Sequence, residues 1–476
     1  MRQSDNPNRP IPDEGDETSD QAGPTPGGDA GKTGGDAPVV GMRDTVLTFV
    51  SRVISLSLAL VWQFLLAHFL DTAGRGAYAV ATQYASLLTV IFMLGVDVGS
   101  LYYVAARKMA ASEAAMALLV YSLLGSAVAI PVGLLLMNTG WEYFNKADPL
   151  SFYIMVAVIP LSFFSASLVV FLTSLREFAW SAVLSIAGPA LNLASLVVFV
   201  WVLGWGVNGA LLTLITTEII SLAVVLVILR RRHGLHFVWP TGEQFRQVLG
   251  FGVRYYFGKV SNIMNFQLGT LALAFFATQS EIGVFAFGLT LVERVQFLPD
   301  TLTTVLLPRV SSDAKGRVDL VTQCNRIVIV LAGAALVVLS ALAWPVFALL
   351  VPTFLPAVMI IWILAPGVWI RCASKLFVPY LHSQNRVGVT SIAVAAGAVV
   401  NIAILVGLMP YLGIQAAALS VVGNYVVSAT ILVVAFHRVS GVSVRDAWLP
   451  RRSDLEWFWQ GVMAFWRRLR PAAAGK

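Results

Sequence analysis

From Ile327 to Leu350 the chain reads IVIVLAGAALVVLSALAWPVFALL, twenty-four residues without a charge. Crossing the hydrocarbon of a bilayer takes roughly 20 apolar residues in a helix rising 1.5 Å per residue. This stretch satisfies that on every face, whereas a surface helix of a soluble domain keeps a polar side. Similar runs recur on both sides of it. The spacing predicts helices near 44-70, 76-106, 114-137, 150-173, 178-203, 208-230, 248-277, 281-309, 319-346, 355-382, 387-409 and 412-437. Of the 476 residues 58% are hydrophobic and 12% charged, with mean hydropathy +0.78. Soluble domains carry about 25% charged residues, so a soluble globular protein is excluded. Cys324 and Cys372 both lie in apolar runs, which argues against a disulfide framework.

Charge is unevenly spread. Residues 1-42 hold eight acids against three bases in a Gly/Pro/Asp-rich tail that cannot bury enough surface to fold. The first apolar run begins near Thr45, and no signal peptide is expected. The rest of the chain is strongly basic, and its bases alternate by side. One set of connections carries Arg43, Arg107, Lys108, Arg176, Arg230, Arg231, Arg232, Arg246, Arg309, Lys315, Arg317, Arg386 and Arg438, while the other carries only Arg75 and Lys146. The positive-inside rule then puts both termini in the cytoplasm. The basic excess reads as topology and not as nucleic-acid binding. Residues 441-476 form a cytoplasmic tail. Within it Trp457, Phe458, Val462, Phe465 and Trp466 stand among Arg467, Arg468 and Arg470. That pattern predicts an amphipathic helix on the anionic inner leaflet, with membrane lipid as its partner.

The chain repeats itself. At an offset of 207, Ala67-His-Phe69 meets Ala274-Phe-Phe276, Gly76-Ala-Tyr78-Ala79 meets Gly283-Val-Phe285-Ala286, Arg52 meets Lys259, and Lys108 meets Lys315. At 209, Gly188-Pro-Ala-Leu-Asn192 meets Gly397-Ala-Val-Val-Asn401, and at 207 again Gly206 and Ala210 meet Gly413 and Ala417. Six helices per repeat return the chain to the same side, so the halves, 43-235 and 236-440, are parallel repeats. Two such bundles leave a cavity at their interface that rocking opens to either face.

Ionisable side chains inside these helices cost roughly 2.5 to 3.5 kcal/mol each at the centre and require a partner or a cavity. Helix 1 carries Arg52. Helix 7 carries Arg254 and Lys259 beside Asn262, Asn265 and Gln267, and helix 10 carries Arg371 and Lys375 one turn apart. Helix 8 carries Glu293, Arg294 and Asp300, while Asp97 lies on helix 2, Glu218 on helix 6 and Arg326 on helix 9. Arg52, Arg254 and Arg326 stand near enough to the basic side to snorkel. Asp97, Glu218, Glu293 and Asp300 fit counter-ions or coupling groups. The cations on four helices, two of them repeat-equivalent, point to a shared cationic cavity for an anionic substrate. Arg52, Arg254, Lys259, Arg294, Arg371 and Lys375 would form it, with Asn262, Asn265 and Gln267 as its polar lining.

Cofactor motifs fail on inspection. Gly31-Lys32-Thr33 imitates a phosphate loop, but Pro26 stands where its first glycine belongs. Gly204-Trp-Gly206-Val-Asn-Gly209 matches a dinucleotide pattern only as letters, between two spanning helices. Five scattered histidines lack metal-ligand spacing. No cofactor, metal or nucleotide is expected, and no enzyme chemistry.

The fragments Gly74-Arg-Gly-Ala-Tyr78, Leu94-Gly-Val-Asp97, Ile282-Gly-Val-Phe285, Leu307-Pro-Arg309, Pro352-Thr-Phe-Leu-Pro356-Ala357, Asn401 and Leu412-Gly-Ile-Gln-Ala-Ala417 occur in this order. In that order residues 43-440 resemble the polysaccharide exporters and O-antigen-type lipid-linked oligosaccharide flippases. These belong to the multidrug/oligosaccharidyl-lipid/polysaccharide exporter superfamily. The resemblance implies an all-α, V-shaped, alternating-access transporter in a bacterial inner membrane, with a cationic cavity lined by helices 1, 2, 7 and 8. It implies a polyprenyl-diphosphate-linked oligosaccharide as cargo for lipopolysaccharide or other surface polysaccharide, and other polysaccharide-assembly proteins as partners. Helix 2 departs from the pattern in having no base before Arg107. A multidrug/cation antiporter of the same fold is the nearest alternative. A membrane glycosyl-transfer enzyme such as an O-antigen polymerase or ligase is the next, though it would want a large exterior loop that this chain lacks.

Overall fold

In the computed structural model residues 42–456 are described, apart from 94, 106–107, 175–176, 235–237, 254–255, 257–272, 307–313, 385, 452 and 455. The chain divides at Thr45, and Val46 onward forms one compact unit. Every regular element among the described residues is helical. The first half comprises α1 (Met42–Phe69), α2 (Thr72–Phe92), α3 (Val96–Ala105), α4 (Ala111–Met137), α5 (Pro149–Ser174), α6 (Phe178–Leu196) and α7 (Gly206–His233). The second comprises α8 (242–253), α9 (Gln279–Glu293), α10 (Phe297–Leu306), α11 (Ala314–Leu350), α12 (Pro356–Lys375), α13 (Phe377–Ser383), α14 (Val387–Leu412) and α15 (Ile414–Ser440). A short α16 (Val444–Trp448) follows.

Nine helices among the described residues are long and apolar enough to cross a membrane. The pairs α9–α10 and α12–α13 each count as one. The α2–α3 pair, α5 and the partly described α8 occupy the remaining three of the twelve expected places. Helix 2, expected as one piece, is broken between α2 and α3 at Gly95, whose φ of 69° lies in the left-handed region. Helix 8 tightens to a 3₁₀ turn at Arg294–Gln296, because Pro299 has no N–H and its ring crowds the carbonyl four residues back. Pro379, whose ring crowds the Lys375 carbonyl, interrupts the helix at Leu376, the junction of α12 and α13. The end of α6 widens instead into a π-helical stretch, Val197–Val202.

The repeat is visible in the backbone. Asp71 caps α2 by accepting from the Gly74 N–H, and 207 residues on Thr278 caps α9 by accepting from the Glu281 N–H. Proline opens both α5 and α12, at positions 149 and 356. Gly206, the first residue of α7, and Gly413, the residue before α15, have φ of 52° and 54° and turn the chain into these helices. Equivalent turns and caps thus stand at one offset through both halves.

The packing is that of a lipid-embedded bundle. Large apolar side chains face outward, Leu349 being 82% exposed, while Ser151, Thr213, Asn325, Asn401 and Ser420 are buried between helices. Hydrocarbon offers no hydrophobic gain for helix association, so close contact between small and polar groups carries it. Exposed Trp141, Trp201, Trp205, Trp344 and Tyr411 cluster near one end of the bundle, as aromatic belts do at a membrane surface. This is the charge-poor end, where the 70–71, 138–148, 203–205, 351–355 and 413 connections lie. The opposite, charge-rich end carries Lys108, Arg230, Arg231, Arg386 and Arg438.

Candidate functional site

The distorted segment at Arg294–Gln296 feeds a polar network inside the second half. Tyr425 of α15 donates to Glu293 Oε1 at 2.7 Å. The Arg371 guanidinium of α12 lies 4.8 Å from the Tyr425 ring centre and donates through Nε to Gln296 Oε1 at 3.0 Å. One turn on, Lys375 Nζ pairs with Asp300 Oδ1 at 2.6 Å, in a half-exposed position. Arg294 follows Glu293 directly in sequence. Among the described residues three cations face two acids here, Arg294, Arg371 and Lys375 all acting on the Glu293 carboxylate, which leaves one positive charge in excess. Tyr425 lies eleven residues into α15, about 16 Å from its start, which is half way across a ~30 Å hydrocarbon layer. At that depth each charge depends on its neighbours, and the phenol, the amide and the two acids supply them.

Of the residues predicted from sequence, Glu293, Arg294, Asp300, Arg371 and Lys375 are thus brought together. Lys375 is already ion-paired with Asp300. Arg52 lies apart on α1, partly buried, with no hydrogen bond or ion pair to any described residue. Glu218 accepts a hydrogen bond from Ser165 in the first half. Asp97 falls in the first turn of α3, but its side chain lies outside the described residues, as do Arg254, Lys259, Asn262, Asn265 and Gln267. Sequence reading missed Tyr425 and Gln296. The repeat held a signal for the first, since Tyr425 stands 207 residues after Glu218.

The two halves meet where the repeat-equivalent glycines lie. A Cβ on Gly76 would come 1.8 Å from the Gln279 carbonyl oxygen, and one on Gly283 would come 2.0 Å from that of Thr72. Glycine at both positions lets α2 and α9 touch backbone to backbone. Around this contact Phe64 of α1 packs edge-on against Phe287 of α9 at 5.4 Å. The Gln279 amide donates to the Lys146 carbonyl, which ties the 142–146 turn across as well. Arg75, one residue before the glycine, is only 3% exposed. It bonds Gln63 of α1 and lies over the rings of Tyr78 and Phe287 at 5.3 and 5.9 Å. The halves also touch deeper in the bundle, where Tyr256 donates to the carbonyls of Val90 and Ile91. Gly95 meets Gly252 nearby.

At the charge-rich end Arg326, read above as a snorkelling candidate, is instead buried and paired. Its Nε and Nη2 donate to the two oxygens of Asp454 at 2.6 and 2.8 Å, and its Nη1 donates to the Asp446 carbonyl. Asn325 donates to the Ala447 carbonyl. Two adjacent residues of α11 thereby fasten the segment 446–454 beneath the bundle. Burial alone would raise the Asp454 carboxyl, but the Arg326 guanidinium and the Arg451 backbone N–H outweigh it and hold the group below the usual carboxylate range. The predicted amphipathic helix beyond this clamp lies outside the described residues.

A bundle of parallel repeats, with charged groups in its interior and two halves meeting over small residues, defines a class: a multi-pass helical membrane protein built from two six-helix halves. Solved structures share the fold. The lipid II flippase MurJ in an inward closed conformation matches with TM-score 0.67 at 16% identity, covering 86% of this chain and 89% of that one. An inward-facing MATE-family multidrug resistance transporter of the MOP superfamily matches at 0.66 and 15% identity, covering 82% and 98%. A MOP superfamily transporter from Pyrococcus furiosus, described as having a binding pocket of reversed polarity, matches at 0.60 and 13% identity, covering 84% and 96%. No curated protein sequence matches the chain. The family model described as polysaccharide biosynthesis protein matches residues 42–313, more than half of the chain. The chain belongs to that family.

Proposed function

We propose that this protein flips a polyprenyl-diphosphate-linked oligosaccharide from the cytoplasmic to the periplasmic leaflet of a bacterial inner membrane. The product would feed surface polysaccharide assembly, O-antigen of lipopolysaccharide included. Both termini would be cytoplasmic, making the charge-rich end the inner one. The observation that carries the reading is the excess of cations over acids inside the second half of the bundle, with Arg294, Arg371 and Lys375 against Glu293 and Asp300 among the described residues. A diphosphate cannot enter hydrocarbon unaided, and guanidinium or ammonium groups replace its hydration with charge-assisted hydrogen bonds. A negative-inside potential would favour outward movement of the anion by about 2.3 kcal/mol per charge per 100 mV. Family membership and the likeness to a lipid II flippase support the same cargo class. Assembly proteins acting on the same lipid-linked glycan would be its partners.

In this scheme Arg52 and Lys259 hold the head from the two halves. Lys259→Arg should keep most transport, because guanidinium still pairs with phosphate. Arg52→Gln and Lys259→Gln should lose it at normal protein level and topology, and Lys259→Glu should be worse. The readout is lipid-linked oligosaccharide accumulating on the cytoplasmic leaflet. Normal flipping by both Gln variants would end the cationic-clamp idea. The half-buried acids Glu218 and Glu293 favour the one competing reading, cation-coupled drug export by the same fold. Drug efflux without leaflet transfer would establish that reading instead.

A further inference from the structure

Arg75 is a buried cation that the network above does not use. Its Nη2 bonds Gln63, itself buried, while Nε and Nη1 have no hydrogen-bond partner among the described residues. Its other neighbours are the Tyr78 and Phe287 rings, which attract a cation through their faces but accept no strong hydrogen bond. Tyr78 is on the same helix, and Phe287 belongs to the other half. Gly76, the next residue, is where α2 and α9 touch most closely. The cover over this guanidinium is therefore the inter-half contact itself. An unsatisfied buried donor is costly, and a charged one more so. That cost exists only while α2 and α9 are together. Parting them at the charge-poor end would uncover a guanidinium with two donor nitrogens unused among the described residues.

We propose that Arg75 is an anion-binding residue of the outward-open arrangement, hidden at the α2–α9 contact while that end is closed and offered to a phosphate-bearing lipid head when the halves separate. The proposal rests on the flippase reading above for the direction and nature of the cargo. It adds a cation that the head meets only after the outer end opens. The mid-membrane network would hold the head before that step. Guanidinium suits the role because it binds phosphate through two donors at once and tolerates an aromatic face when unloaded.

The test uses the full-length purified protein with inorganic diphosphate as probe. Affinity is compared between the native protein and Gly283→Leu, whose side chain holds α2 and α9 apart, each with and without Arg75→Met. The proposal expects Gly283→Leu to bind diphosphate about tenfold more tightly than Gly283→Leu/Arg75→Met, the equivalent of ~1.4 kcal/mol. The two proteins with native Gly283 should differ little. Equal affinity of Gly283→Leu with and without Arg75 overturns the proposal and makes Arg75 a packing residue, leaving the flippase reading intact. Failure of all four proteins to bind diphosphate overturns both. If Gly283→Leu does not fold, leaflet transfer at matched protein levels decides. Arg75→Lys should keep at least half of the native rate and Arg75→Met less than a tenth. Equal rates for Lys and Met contradict the proposal.

Discussion

Gly283→Ala tests whether the α2–α9 contact governs the closed arrangement. The new Cβ would stand 2.0 Å from the Thr72 carbonyl oxygen and 2.8 Å from the Gly76 nitrogen. An ordinary contact is about 3.4 Å, so the helices must part by roughly 1.4 Å, and the opposing atoms are backbone that no rotamer change can move. Two effects compete. Alanine is favoured over glycine within a helix by about 0.5–1 kcal/mol, in every arrangement of the two halves. Overpacking costs about 1–3 kcal/mol and applies only when they are in contact. The helix gain therefore cancels from the open–closed balance, and the overpacking remains. A 1–2 kcal/mol penalty moves that balance by roughly 5- to 30-fold toward separation. Spin labels at exposed Thr139 and Ser280, one on each half near the charge-poor end, would report the distance by pulsed electron resonance. The native Cys324 and Cys372 are buried and stay unlabelled. A longer-distance population should grow in Gly283→Ala and likewise in Gly76→Ala. Gly188→Ala, with nothing within 4 Å of the added carbon, should leave the distribution unchanged. An unaltered closed distance in Gly283→Ala at full protein level would refute the reasoning.

Further outcomes follow from the other contacts and from the distribution of basic residues. Asp454→Asn should loosen the segment below α11 by about 1–3 kcal/mol, seen as faster trypsin cleavage after Arg451 with insertion unchanged. Because the Asp454 carboxyl is held below its ordinary range, this clamp gains its stability above the unfolded aspartate pKa, about 3.9. It is lost only as pH falls through the lower folded value. Cleavage of the native protein should accordingly be flat from pH 5 to 8, and a rise within that window would contradict the assignment. Tyr425→Phe removes the phenolic donor to Glu293 and should lower the melting temperature of the solubilised protein, by about 1–3 kcal/mol of stability. Combined with Glu293→Leu its effect should be less than additive, whereas full additivity would disprove the pairing. Reporter fusions after Arg438 should be active only in the cytoplasm, and periplasmic activity there would overturn the twelve-span count.

The fold was legible because its causes are local. Apolar runs of spanning length and alternating basic connections declare themselves within a few tens of residues. Caps and turns recurring 207 apart at Asp71 and Thr278, or at Gly206 and Gly413, reflect one supersecondary plan used twice. The site was legible only as a set of suspicious charges. Arg371 and Lys375 stand out because a charge in an apolar run is conspicuous, but their partners are not. Gln296 and Tyr425 read as ordinary polar and aromatic members of their helices until tertiary contact brings them to Arg371. Arg326 illustrates the same limit. Its position suggested snorkelling, while its partner Asp454 lies 128 residues away, in a segment read as tail. Arg75 reads as a loop cation because the apolar run starts one residue later. Its burial depends on α9, which no local pattern can announce. The breaks at Gly95 and Arg294–Gln296 were missed because hydropathy is blind to backbone direction, although Gly95 and Pro299 marked both places.

Purified protein reconstituted into liposomes would be loaded, in the inner-facing leaflet, with a labelled polyprenyl-diphosphate oligosaccharide, and its arrival in the opposite leaflet followed by an enzyme or lectin confined to that side. The expected result is transfer by the native protein, at least tenfold faster than by Arg52→Gln or Arg371→Gln, with an organic-cation drug left unmoved. No leaflet transfer above protein-free liposomes, together with efflux of the cation, would contradict it.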